Sequence, residues 1–387
     1  MSLTAAGRDL AAVRAALDGL RGLQAATFAA EQDVASDICE WLRFALGPGR
    51  KLDPEQAQLE DLAYEVLAFL AANLQDPSAA GTFCGLDLNL SSIALDRADF
   101  SGIYLTDGSV DFRNCSFGPE LSFAGAHFHG AHVVFDGSVF RGSPQRVGGH
   151  FSNATFSGSA VSFEDTVFRD HTCRFDDSDF TSGQVSFYRA HIFDSMLSFA
   201  RCRFRGAIVR FTDGVLQRGE LSFTDCSVTD GELRFDRAKL RAATTLDRTA
   251  IHGGLVSFDG SEISGPVSFG KVALAGGALT IRNIAVTSHG IDCRHMIIDG
   301  GSFAMDGAEA LFGDIEMSEV SFIGGTVSLR GVRAPFDGVI YFPWAICTRG
   351  RMQVRDDSFD ADRAHDFTVT VARYRPGVIT DWGSLKP

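Results

Sequence analysis

The 387-residue sequence contains no run approaching the roughly 20 consecutive apolar residues of a membrane-spanning helix. Its first residues carry charge throughout (Arg8, Asp9, Arg14, Asp18, Arg21) and lack the apolar core of a secretory signal, so a cytoplasmic location is expected. Eight cysteines include no C-x-x-C pair, which removes the simplest zinc and redox motifs. Positive charge is short. The 35 Lys and Arg face 49 Asp and Glu, and a net charge of -14 disfavours direct binding to nucleic acid. Tyrosine is scarce as well, with 5 residues beside 33 Phe. With 45% hydrophobic and 22% charged residues the chain is nonetheless that of a globular protein, not a disordered one.

What the chain has in abundance is phenylalanine at fixed steps. In "VSFEDTVFRDHTCRFDDSDFTSG" (161–183), Phe163, Phe168, Phe175 and Phe180 are separated by five, seven and five residues. The same rhythm extends through Phe187, Phe199, Phe211, Phe223, Phe235, Leu246, Phe258 and Phe269, each with an apolar residue five later. It begins near residue 86 and fades towards Tyr341 and Ile346. A smaller inward residue sits two before each large one, as Val161, Thr166, Cys173 and Ser178 do, and Gly and Asp fill the corners. Alternating steps of five and seven do not keep to one face of a 3.6-residue turn, whereas residues two apart share a face of an extended strand. A fixed short period over so long a stretch predicts a solenoid whose coils bury their apolar residues only against their neighbours. Several cysteines (Cys115, Cys173, Cys202, Cys226, Cys293) fall at recurring inward positions and read as small buried groups rather than bridges.

Charge decides the length of a coil. Two residues after successive first-position apolar residues stand Asp165, Asp177, Arg189, Arg201, Asp213, Asp225, Arg237 and Arg248. Coils of 12 residues would often stack like charges at the strand spacing of ~4.8 Å. Coils of about 24 give two ladders, Asp165–Arg189–Asp213–Arg237 and Asp177–Arg201–Asp225–Arg248, that alternate in sign. The expected fold is therefore an all-β solenoid of about ten coils.

Ahead of it, residues 1–82 carry helical periodicity, as in Leu10, Val13, Leu17 and Leu20 and again in Leu59, Leu62, Val66 and Phe69. Three parts are expected: an α-helical N-terminal module or cap over 1–82, the repeat region over 86–360, and a strand or tail cap over 361–387. An uncapped solenoid end is an open strand edge, which gives both ends a reason to be covered.

"ADFSG" (98–102), "FDDSDF" (175–180) and "FARCRF" (199–204) resemble the pentapeptide-repeat family, with its A-[DN]-[LF]-x-x consensus. The 12-residue rhythm and helical N-terminus look like a subgroup common in actinobacterial proteins. The resemblance covers about residues 86–346. It implies a right-handed four-sided parallel β-helix without cofactor or catalytic residues. It also implies, from the family's best-understood members, DNA mimicry directed at type II topoisomerases (DNA gyrase or topoisomerase IV), with quinolone resistance or toxin immunity as the outcome. This chain departs from those members in its length, its 5+7 steps and a C-terminus that does not read as a dimerising helix.

Chemistry is thinly represented. "AHFHGAH" (126–132) brings His127, His129 and His132 together as candidate metal ligands, but no carboxylate at ligand spacing accompanies them, and solvated surface histidines are the simpler reading. The one clear insertion in the repeats, "RGSPQRVGGH" (141–150), adds four residues and contains one His and no acid. No phosphate loop, nucleophile elbow or paired-acid constellation occurs, so no enzyme is expected and no cofactor is called for.

The expected function is a protein-binding scaffold, with a gyrase-directed DNA mimic as the alternative and a metal-dependent enzyme as a second. Partner-binding candidates are the acidic Asp176, Asp177 and Asp179, the basic Arg201, Arg203 and Arg205, and Tyr374 and Trp382 near the C-terminus, where a cap or a homodimer contact is expected. Mimicry demands a continuous acidic face, yet residues 201–248 hold ten Lys and Arg against seven Asp and Glu.

Overall fold

A computed structural model describes residues 2–21, 28–48, 54–79, 82–142, 150–334, 336–337, 340–341, 346–347, 351–353 and 379–381. The chain is a parallel β-solenoid of about ten coils with a spacing near 24 residues, preceded by a small helical part. Two compact units divide it, residues 1–186 and residues 187–387.

In the first unit, four helices among the described residues precede the coils: α1 (Leu3–Ala6), α2 (Leu10–Arg21), α3 (Phe28–Leu46) and α4 (Pro54–Ala72). Their apolar stripes meet one another, burying Val13, Leu17, Ile38, Trp41, Leu42, Leu62, Val66 and Leu70. Gln56 in the first turn of α4 donates to the Ala45 carbonyl of α3 at 3.2 Å, tying the two long helices together. The same two helices lie on the first coil. Gln32 exchanges two hydrogen bonds with the backbone of Asp87 (2.9 and 3.0 Å), and Arg97 reaches Asp61 at 2.6 Å while lying over the Tyr64 ring. The Tyr104 amide, on the edge of the first coil, donates to the Leu74 carbonyl at 2.6 Å. Backbone groups that an open solenoid edge would leave exposed are thus occupied.

The register fixes the coil length directly. Ser159 pairs with Gly183, Ile208 with Glu232 and Leu255 with Ala278, offsets of 24, 24 and 23 residues. Around the insertion the offset grows to 28, as Phe128 pairs with Phe156 and Phe140 with Phe168. A 12-residue coil is excluded.

Each coil directs its large residues inwards, where they stack on the same residue of the next coil. In the first unit, Phe112, Phe135 and Phe163 form one column with ring centroids 5.1 and 4.6 Å apart. Phe123, Phe151 and Phe175 form a second (5.0 and 4.6 Å), Phe128, Phe156 and Phe180 a third, and Phe117, Phe140 and Phe168 a fourth. The first two columns meet edge to face across the core, as Phe135 does with Phe151 at 88°. The second unit repeats the device through Phe187, Phe211, Phe235 and Phe258, at 4.6, 5.3 and 4.4 Å. Parallel strands repeat at 4.7–4.9 Å, close to the offset-stacking distance of two aromatic rings, so backbone pairing and ring stacking satisfy each other.

The corners are left-handed. Asp165, Asp177, Asp213 and Asp225 adopt φ between 54° and 61°, and so do Arg237 and Arg248 at 56° and 59°. Asp, Asn and Gly visit this region readily; for other residues it costs about 1–2 kcal/mol. Where an Arg occupies the corner, the ladder offsets part of that cost. Arg237 forms a bidentate pair with Asp213 (2.8 and 2.9 Å), and Arg248 does so with Asp225 (2.6 and 2.8 Å). These are rungs of the two ladders expected from the sequence.

Small inward residues also have a polar duty. Ser138 accepts from the Cys115 amide and donates to the Phe112 carbonyl, and Thr249 does the same between Cys226 and Phe223. Cys115 and Cys226 act like the hydroxyl residues, each donating its thiol to a carbonyl of the preceding coil (Leu90 at 3.1 Å, Phe199 at 2.9 Å). Glycine is required at Gly219, whose φ of 103° and closeness to the Ser195 backbone leave no room for a Cβ.

Beyond the fading repeats, Ile379–Asp381 pairs in parallel with Arg351–Gln353. The expected strand through Phe367, Val369 and Val371 lies outside the described residues, as do Tyr374 and Trp382.

Replacing Phe135 by Ala, which empties a ring site stacked on both sides, is expected to cost about 3–5 kcal/mol in chemical denaturation. The Asp213 and Asp225 carboxyls are held below the ordinary range by hydrogen bonds from Arg237 and Arg248. A depressed carboxyl stabilises above its unfolded pKa and loses that contribution as pH falls through the folded one, so the ladder's part is lost below about pH 4. Urea midpoints measured from pH 6 to pH 2 are expected to fall less steeply at the acid end in the double variant Asp213→Asn/Asp225→Asn than in the parent.

Candidate functional site

The sequence-expected residues fall into separate places. Strand His127–His129 points Phe128 inwards and leaves His127 half-buried and His129 exposed on the outer side, while His132 stands exposed on the next strand, past the left-handed corner at Gly130. His127 stacks on Tyr104 at 4.3 Å, an arrangement that packs one imidazole against a coil edge rather than turning it to its neighbours. Asp176, Asp177 and Asp179 follow one another round a single corner after Phe175, where Asp177 takes a φ of 61° and the Asp176 carbonyl accepts from the Asn153 amide. Arg201, Arg203 and Arg205 are exposed on one coil of the second unit, the last two flanking inward Phe204 on strand Arg203–Arg205. Further along that unit, Arg218, Arg234, Arg237 and Arg248 pair with Asp194, Glu232, Asp213 and Asp225 at 2.6–2.8 Å. Four of the basic residues of this stretch are thereby paired with carboxylates.

Two assemblies were not singled out from the sequence. The first is a groove of about 520 Å³ on one face of the first unit, running across successive strands. Three carboxylates, Asp111, Asp136 and Glu164, line it against one guanidinium, Arg113, with His132 and Gln184 beside them. The polar groups are held in place. Arg113 grips Asp111 through Nη2 at 2.6 Å and Nε at 3.0 Å. Asp136 accepts from the Ser162 hydroxyl at 2.5 Å and from the Glu164 amide at 2.9 Å, and Glu164 accepts from Ser186 at 3.0 Å. Burial raises the Asp111 carboxyl, but the hydrogen bonds and charge of Arg113 outweigh it and keep the group below its ordinary value. These contacts recur because an acid just after the corner apolar residue reaches the Ser of the next coil. Asp247 with Ser268 and Asp306 with Ser328, both at 2.5 Å, repeat the pattern in the second unit.

The second is a buried cluster. His150, His171 and Cys173 offer ligand atoms that all lie within 4.8 Å of one another, and it is the one such three-residue group among the described residues. The exposures are 0% for His150, 3% for His171 and 0% for Cys173. His150 closes the insertion and occupies the position before Phe151, where neighbouring coils carry outward residues such as Ser122 and Arg174. Its ring centroid is 4.5 Å from that of His171, which also meets Phe140 at 6.0 Å. Burial, with the charge of His150 second, pushes His171 down to about 3, so it is neutral across the physiological range. Burial holds the Cys173 thiol well above its usual value, with Asp176 adding to the effect. The signals present in the sequence were the insertion ending in His and the inward position of Cys173. Their meeting depends on the stacking of two successive coils, which sets His150 beside Arg174 and so next to Cys173.

No protein-family model matches the chain, and no curated protein matches it.

Changing Cys115 to Ser is expected to keep the hydrogen bond to the Leu90 carbonyl and shift the thermal midpoint by no more than about 2 °C. Cys115→Val, which leaves that carbonyl without its donor, is expected to lower it further, a comparison made by differential scanning calorimetry.

Proposed function

We propose that the protein is a non-catalytic protein-binding scaffold of the pentapeptide-repeat kind, which presents a rigid polar face to a partner carrying basic side chains. The observation that carries this reading is the first-unit groove. Its three carboxylates outnumber its one guanidinium, and hydrogen bonds from Ser162, Ser186 and the Glu164 amide orient them before any partner arrives. Preorganised acceptors lose little freedom on binding, which is what a scaffold contributes to affinity. The five-residue step, the inward Phe columns and the coil of about 24 residues support the family assignment.

The scaffold reading is preferred to DNA mimicry on one ground. A mimic needs a row of like charge, whereas the corner rows of the second unit alternate, with Asp213 beside Arg237 and Asp225 beside Arg248. No residue set in either reading is asked to do chemistry. Pull-down from host lysate, coupled to cross-linking from Gln184→Cys at the groove, is expected to capture a partner that is lost in Glu164→Lys/Gln184→Lys. Capture unaffected by that charge reversal would sink the groove as the binding face. Inhibition of DNA supercoiling by DNA gyrase at stoichiometric protein would make mimicry the better account.

A further inference from the structure

Nothing in the scaffold reading uses the buried His150, His171 and Cys173, and the cluster has the composition of a metal centre. We propose that these three side chains form a buried site for a thiophilic d10 metal ion, with Cu+ as the ion that fits best.

Geometry comes first. Metal–nitrogen bonds of about 2.0–2.1 Å and metal–sulfur bonds of about 2.3 Å set donor atoms about 3.4–3.8 Å apart in trigonal or tetrahedral sites. The three donors already lie within 4.8 Å of one another, so each moves by under about 1 Å to reach bonding distance. Two imidazoles and a thiolate are soft to borderline ligands that select Cu+ and Zn2+ over magnesium or calcium.

Charge then separates the two ions. On binding, the Cys173 thiol gives its proton to solvent as the metal–sulfur bond forms, leaving two neutral imidazoles and one thiolate. With Cu+ the complex is neutral. With Zn2+ it keeps one positive charge in a site whose three ligands are at most 3% exposed, which requires an additional anion. Three ligands also complete a trigonal Cu+ site, whereas Zn2+ looks for a fourth.

Position suggests what the ion does. His150 ends the ten-residue stretch that carries the insertion, while His171 and Cys173 belong to the following coil. An ion held between them staples the end of the insertion to the coil beneath it, a stabilisation that appears only in the folded state.

The experiment loads the full-length protein anaerobically with Cu+ and challenges it with the chelator bicinchoninate, alongside a parallel Zn2+ titration. One equivalent of Cu+ is expected to survive the challenge and to raise the melting temperature by on the order of 5 °C. X-ray absorption is expected to report one sulfur and two nitrogen neighbours. Cys173→Val and His150→Ala are expected to lose the ion, while Cys115→Ser, a thiol change elsewhere in the same unit, keeps it. Because Cys173→Val preserves bulk, its metal-free melting temperature separates loss of the ligand from loss of the fold. Failure to retain Cu+ at one equivalent, retention undiminished in Cys173→Val, or retention of Zn2+ in preference to Cu+ would overturn the proposal. None of these outcomes depends on whether the groove binds a partner.

Discussion

Everything in this fold hangs on a coincidence of distances. Parallel strands repeat every 4.7–4.9 Å, and two phenylalanine rings stack comfortably at nearly the same separation. A chain that places Phe at the same point of every coil therefore satisfies its backbone ladder and its core with one spacing. Ring centroids of 4.6 Å for Phe135 with Phe163 and for Phe187 with Phe211 show the match in each unit. Tyr would serve poorly here, because a buried hydroxyl needs a partner that the inside of a coil has few means to supply. The bias of 33 Phe to 5 Tyr follows from that constraint.

Once the rings fix the coil, the polar residues are assigned by what remains. Backbone corners two residues after the large positions are left-handed, which draws in Asp, Asn and Gly, and the same corners stack from coil to coil, which makes opposite charges the acceptable neighbours. Arg237 and Arg248 sit in a conformation unfavourable to Arg because Asp213 and Asp225 await them one coil earlier. Exposed pairs of this kind are individually worth about 0–1 kcal/mol, so their value lies in register more than in stability. An Arg facing an Asp across a corner resists a slip that would bring like charges together. Ser, Thr and Cys at the small inward positions perform the complementary task inside, closing the carbonyls that the corners leave open.

The fold was legible because its determinants are local and periodic. Five- and seven-residue steps, small inward residues two places earlier and charges of alternating sign could all be counted along the chain, and the 24-residue register agrees with them. The functional surfaces were less legible. Reading along the chain favoured neighbours, so His127, His129 and His132 drew attention through adjacency, although His127 stacks on Tyr104 and the corner at Gly130 sets His132 on a different strand from the other two. Asp111, Asp136 and Glu164 are far apart in sequence and gather only through the stacking of coils, Asp136 and Glu164 at the same place on successive coils and Asp111 two places earlier on the coil before them.

By itself, then, the sequence determined the solenoid, the length of its coil, the helical module before it and the residues that point inwards, since each depends on spacing along one chain. Tertiary structure alone decided which outward residues share a groove, and that His150 turns inwards at the end of the insertion to meet His171 and Cys173. The physical reason is the same in both cases. Position within a coil is written in the periodicity, but the offset between coils rises from 23 to 28 residues at the insertion and returns to 24 beyond it, and a change of offset alters which side chains become neighbours without altering the pattern of either coil.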